Sequence, residues 1–399
     1  MHVRQITPLI ITWTLIGFPL LASICAIFGV TPTVYSAVIR AIIVALSVAI
    51  LVGLVKRKLR PSIFFSIYII FWLTYITRLL ISSLSSEELS HPSWHYWIWA
   101  IGSCLLPSLV LSVKNCINFP TLYRAIMAIG LITSVIILSS ASTTVISASG
   151  DEIDVGRLQL ESLNPITVGH LAATVALLSI SGLLNKEKRL PTAFLHAFCI
   201  MISGALLIQS GSRGPLVAFV ITVLLLILPS RKVSTTQIFL FALLMLIVLS
   251  QIFSGVGTSS IQGVSRLVLA LEGNDASGSL RLMAATGAIQ QFLSNPWFGS
   301  GLEESTTGFY PHNLILEAFM ATGLLGGVSF LYIFVASSIT AVSVARSREQ
   351  TSWIGAVTFQ YCIAALFSGA IYNAAAFWTM IVVSQHLLRQ NNTSASDPR

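Results

Sequence analysis

Three short stretches place reactive side chains in a chain that otherwise avoids charge: SGSRG at 210–214, SLRLMAATGAI at 279–289 and HNLILEAFMATGLLGG at 312–327. Arg213 sits between two glycines that allow close backbone approach, and Pro215 suits the first turn of a following helix. A guanidinium fork matches phosphate oxygens bidentately and keeps its charge when partly dehydrated, and a helix start offers unpaired N–H groups to the same anion. Arg281 lies on a helix-period segment with apolar neighbours. His312 follows Pro311 at a helix start where Asn313 is suited to cap. An imidazole there stays neutral near pH 7 and takes a proton from a hydroxyl. Glu317, about one turn on, is placed to orient the histidine or a substrate. The other six histidines lie near the inner side, beside tryptophans at 91–99, or, as with His170 and His196, on apolar spans where packing is the common role.

The elements that must hold these residues are helices in a membrane. Hydrophobic residues make up 55% of the 399 positions and charged residues only 9%, against roughly 25% charged in soluble domains. Runs of about 20 apolar residues, the length that crosses a bilayer as helix, occur near 6–28, 33–55, 61–83, 95–113, 119–141, 165–184, 191–209, 214–230, 236–255, 324–344, 353–371 and 373–388. The expectation is an all-α polytopic membrane protein of about 12 transmembrane helices, one integral membrane domain over 1–399. The runs are continuous and do not alternate, which excludes a barrel.

With the N-terminus inside, 16 of the 22 Lys and Arg fall on inner segments with three acids, and the outer side takes six arginines and 11 acids. The basic balance therefore reports topology and needs no nucleic acid. The outer arginines are the anomaly: Arg40, Arg78, Arg157, Arg213, Arg266 and Arg281 share one face. Each of Arg40 and Arg78 is as well explained by snorkelling or by pairing with an outer acid as by a ligand. The five cysteines lie in spans or near the inner face, so no disulfide framework is expected there.

The longest polar stretch, 256–311, reads as an outer loop between the ninth and tenth predicted spans. It holds two amphipathic helices, one with Val264, Leu267, Val268 and Leu271 on a face, the other with Leu280, Met283, Ala284, Gly287 and Ala288. The acidic runs DEID (151–154) and EGND (272–275) lack a metal-ligand pattern with any histidine. Fixed arginines neutralise a diphosphate without a metal.

The ordered series SGSRG, SLRLMAATGAI, NPWFGSG and HNLILEAFMATGLLGG resembles the O-antigen ligase family and its polymerase relatives over roughly residues 206–330. The resemblance implies a C-type glycosyltransferase-like membrane fold and a metal-independent, inverting transferase of the bacterial inner membrane, without cofactor. Its partners would be an undecaprenyl-diphosphate-linked polysaccharide, a lipid A-core acceptor and membrane lipids, with the active site facing the periplasm. By the same resemblance Arg213 and Arg281 hold the diphosphate and His312 activates the acceptor hydroxyl. Arg157 and Arg266 match no motif and rest on the charge argument. The chain ends soon after its last span, which disfavours a protein acceptor. A polymerase joining lipid-linked repeats shares these features. A lipid-linked sugar transporter would instead place its charges near the midplane.

Overall fold

The computed structural model describes residues 3–54, 62–85, 89–113, 116–140, 163–184, 190–227, 276–347 and 349–395. Among them the chain is helical, with β features limited to isolated bridge residues such as the pair Glu304 and Phe309. We number the helices α1 (Val3–Ile27), α2 (Thr33–Leu54), α3 (Ile63–Leu84), α4 (93–110), α5 (Phe119–Ser140), α6 (Pro165–Leu184), α7 (Leu190–Gln209), α8 (Arg213–Ile227), α9 (Ala276–Ser294), α10 (Leu314–Arg346), α11 (Ser352–Ala364) and α12 (Ala375–Ala395). The first includes a π-helical turn at Trp13–Gly17, and α4 is largely π-helical over Ile98–Leu105.

Among the described residues seven helices are long and apolar enough to span a bilayer: α1, α2, α3, α5, α6, the Thr192–Gln209 part of α7, and α10. The protein is a multi-pass helical membrane protein, but the described residues do not give the twelve equivalent spans expected. The run 236–255 lies outside them. The 15 residues of α8 and 13 of α11 form shorter helices. Tertiary packing, and not lipid, surrounds α11, nearly all of whose residues are buried. It contacts α6, α8, α10 and α12. Gly355 makes its approach to α10 possible, since a Cβ there would lie 2.2 Å from the Ala345 nitrogen.

The interior is aromatic where α3, α10 and α12 meet. Trp72 and Trp378 rings lie 4.9 Å apart, with Phe71 5.4 Å from Trp378 and Phe330 5.2 Å from Phe71. Lipid-facing sides carry the exposed apolar residues, as at Val34, Val38 and Ile42 on α2. On α9 the small face residues Ala284 and Ala288 are buried, whereas Leu280 and Met283 from the same expected face stay exposed. With Leu282, Ile289, Leu293, Trp297 and Phe298 they leave an apolar outer surface, as suits a helix at a membrane interface. The first amphipathic segment of this loop, with Arg266, is outside the described residues.

Candidate active site

Crossing contacts bring the ends of many helices to one pole of the bundle. Arg78 near the end of α3 reaches the segment 298–300, Ser90 and Tyr96 reach Glu303, and Leu314 N donates to Ala365 O at 2.9 Å. The α6 start touches the turn before α8, where Gly169 faces Pro215 and Ser210. At this pole α10 is broken. Gly323 has φ 65° and ψ −159°, which a side chain rarely tolerates, and divides the helix into two arms.

The NPWFGSG turn docks into the break. Ser300 N donates to Met320 O at 2.9 Å and Leu324 N to Pro296 O at 2.7 Å. A Cβ on Gly299 would meet Met320 O at 2.5 Å, and one on Gly323 would meet Trp297 at 2.4 Å. Arg78, 7% exposed, closes the joint. Its guanidinium donates to Ala321 O (2.7 Å), Phe298 O (2.8 Å), Gly299 O (2.7 Å) and Ser300 O (3.1 Å). These carbonyls are exposed by a broken helix and a tight turn, and a buried acceptor without a donor is costly. Arg78 is thus a clamp for the backbone, a role its sequence context did not suggest.

From this joint the chain runs through 303–310 to His312. Glu303 accepts from Ser90 N at 2.8 Å and from Ser90 Oγ and Tyr96 Oη, each at 2.5 Å. Burial favours a neutral Glu304. Donors from Thr306 N, Thr307 N and Thr307 Oγ outweigh it and hold the carboxyl below its ordinary value. His312 has φ 55°, the one positive φ outside glycine among the described residues. Such a backbone is uncommon for a residue with a side chain and recurs at functional positions. Asn313 caps α10 as expected, its Oδ1 accepting from Ile315 N at 3.0 Å and Leu316 N at 3.1 Å.

The His312 ring lies 4.5 Å from the Tyr310 ring, and its buried Nδ1 has no hydrogen-bond partner. Burial and then the nearby Arg281 charge push its pKa down to about 4, so the imidazole is neutral at pH 7. Arg281, in the second turn of α9, donates from Nη1 to Phe367 O at 3.3 Å. Burial, then the Glu317 charge, raises the Tyr310 phenol above its ordinary value, against the opposing effect of Arg281.

Arg281 and His312 thus share one electrostatic neighbourhood. Arg213 begins α8 directly after the Gly211 turn (φ 59°), at the same pole and half-buried, on a helix packed against α6 and α11. Arg157 lies outside the described residues, as do the acidic runs at 151–154 and 272–275. Among the described residues no group of three or more His, Cys, Asp or Glu is gathered as metal ligands would be.

Glu317 requires a correction. It is 0% exposed, and both carboxylate oxygens accept from Ile371 N at 3.0 Å. One turn of helix carries its side chain inward, where it secures the bend before α12 instead of orienting His312. Sequence reading also missed Tyr310, whose only signal was its place two residues before the histidine. It assigned His170 to packing, yet His170 Nδ1 is buried without a partner and the residue lines a cavity.

No curated protein matches the chain. Residues 197–331 match the family model described as O-antigen ligase, a segment that includes Arg213, Arg281, the turn docked in the α10 break, and His312. Over this segment the chain is similar to the O-antigen ligase family.

Proposed function

We propose that the protein is an O-antigen ligase. It transfers polysaccharide from undecaprenyl diphosphate to a lipid A-core sugar hydroxyl at the periplasmic face of the inner membrane, by metal-independent inverting transfer. The observation that carries this reading is His312 beside Arg281, neutral and with its buried Nδ1 unsatisfied among the described residues, at the start of a helix in the family-matched segment.

In this mechanism the acceptor hydroxyl attacks the anomeric carbon and gives its proton to the His312 imidazole. The bond from that carbon to the diphosphate oxygen breaks, and the electron pair leaves with the diphosphate. Arg281 and Arg213 meet the growing negative charge, and on the charge argument from the sequence Arg157 and Arg266 are assigned to the same diphosphate. Preorganised donors lower the barrier because they bind the charge more strongly in the transition state than before it. Donor binding also tunes the base. A diphosphate at Arg281 offsets the cation that depresses His312, so its basicity rises when substrate is present. Arg213 lies at the start of α8, where free N–H groups add to its fork.

The lipopolysaccharide ladder of a strain lacking this chain tests the reading. Core without any attached polymer, with lipid-linked polymer accumulating, is the expected pattern. Core bearing single repeats would identify a polymerase, and loss of lipid-linked polymer from the periplasmic leaflet a transporter.

A further inference from the structure

A cavity of about 450 Å³ opens at the same pole, within the size range of small-ligand sites, roughly 300–1,000 Å³. Trp99 and Tyr361 contribute aromatic walls, and Tyr310 lines it as well as flanking His312. Three polar groups on its lining have no hydrogen-bond partner among the described residues. Ser103 Oγ and His170 Nδ1 are buried and unsatisfied. The Phe18 ring lies 5.9 Å from the Arg40 guanidinium carbon, and among the described residues no acid pairs with it. Arg40 lies seven residues into α2, about 10 Å from the helix start. A cation at that depth without an acid among the described residues is costly, and its charge favours binding an anion.

We propose that this cavity is an anionic-sugar subsite, receiving a phosphate- or carboxylate-bearing unit of the acceptor saccharide. The assignment to the acceptor rests on the ligase reading, since the cavity shares Tyr310 with the proposed base. Arg40 meets the acidic substituent as a bidentate fork, Ser103 and His170 take ring hydroxyls, and the aromatic walls take the apolar sugar faces. Acceptors carrying an acidic residue next to the reacting unit would therefore be selected over neutral ones.

The test uses the full-length protein in lipid nanodiscs and saturation-transfer NMR, which reads binding without transfer. The better of glucose 6-phosphate and glucuronate should bind wild type at least about tenfold more tightly than glucose, as for one charge-assisted contact. Arg40→Gln should erase that preference, and Arg281→Gln should leave it intact. Ser103→Trp fills the cavity while keeping Arg40, and should abolish binding of all three; it serves also if Arg40→Gln does not fold. An undiminished preference in Arg40→Gln, binding that survives Ser103→Trp, or a preference lost in Arg281→Gln overturns the proposal. So does glycerol 3-phosphate binding as tightly as the acidic sugars, which identifies a phospholipid headgroup site. Because binding is measured apart from transfer, this subsite and the ligase reading can fail independently.

Discussion

Replacing Arg78 by methionine keeps an unbranched stem and removes its five donors, leaving four backbone carbonyls without this partner. A hydrogen bond from a charged group contributes about 1.5–3 kcal/mol. If water recovers half of the four, the local loss is about 3–6 kcal/mol, a large share of a typical total stability of about 5–15 kcal/mol. The joint between residues 295–300 and the α10 break should then open about 100-fold or more often, at 1.4 kcal/mol per tenfold. Limited proteolysis of nanodisc-held protein reads this directly, as faster cleavage confined to the 295–310 segment. Arg78→Lys should rescue poorly, because three rotating ammonium donors cannot reproduce a planar fork aimed at four fixed acceptors. Donor lipid should still bind the surviving folded fraction with unchanged affinity, since the Arg78 guanidinium donates to four backbone carbonyls. Unchanged cleavage together with a large loss of donor affinity would refute this reasoning and return Arg78 to the ligand-binding arginines.

His312→Ala should lower turnover about 10²–10⁴-fold while donor affinity changes little, measured by single-turnover transfer and separate donor binding. The acid limb of kcat/KM should fall near pH 4 in wild type, because activity needs the neutral imidazole and protonation removes it below that value. Arg281→Gln should raise the His312 pKa by removing a nearby cation, which histidine NMR titration checks; no upward movement would separate the two residues. Arg213→Ala and Arg281→Ala should each cost about 10²–10³ in rate with insertion intact, as for loss of one preorganised donor, and lysine should restore little. Activity that EDTA abolishes and magnesium restores would count against the arginine mechanism. Ser305, exposed beside the site, should as cysteine react with an impermeant reagent in intact spheroplasts; the native cysteines in the described residues are all buried and give little background. Labelling only after lysis would reverse the topology.

Helix and membrane residence are legible in the sequence because each depends on local chemistry. Apolar runs of bilayer length must hydrogen-bond their own backbone, and six arginines collected opposite the usual side mark a face that needs explanation. The Pro-His-Asn start of α10 is equally local, since a cap is made by the residue that precedes the turn. The roles of the individual charges are not local. Arg78 and Arg40 look alike as outer arginines on apolar helices. One meets four carbonyls contributed from more than 200 residues away, and the other faces a cavity. Glu317 lies one turn from His312, yet the direction of its Cβ and the position of Ile371 turn it into a backbone clamp. Sequence spacing sets which residues are neighbours along a helix. Which of them meet a carbonyl, a second charge or an empty space is decided when distant segments pack, because a buried polar group takes its role from the partner that packing supplies.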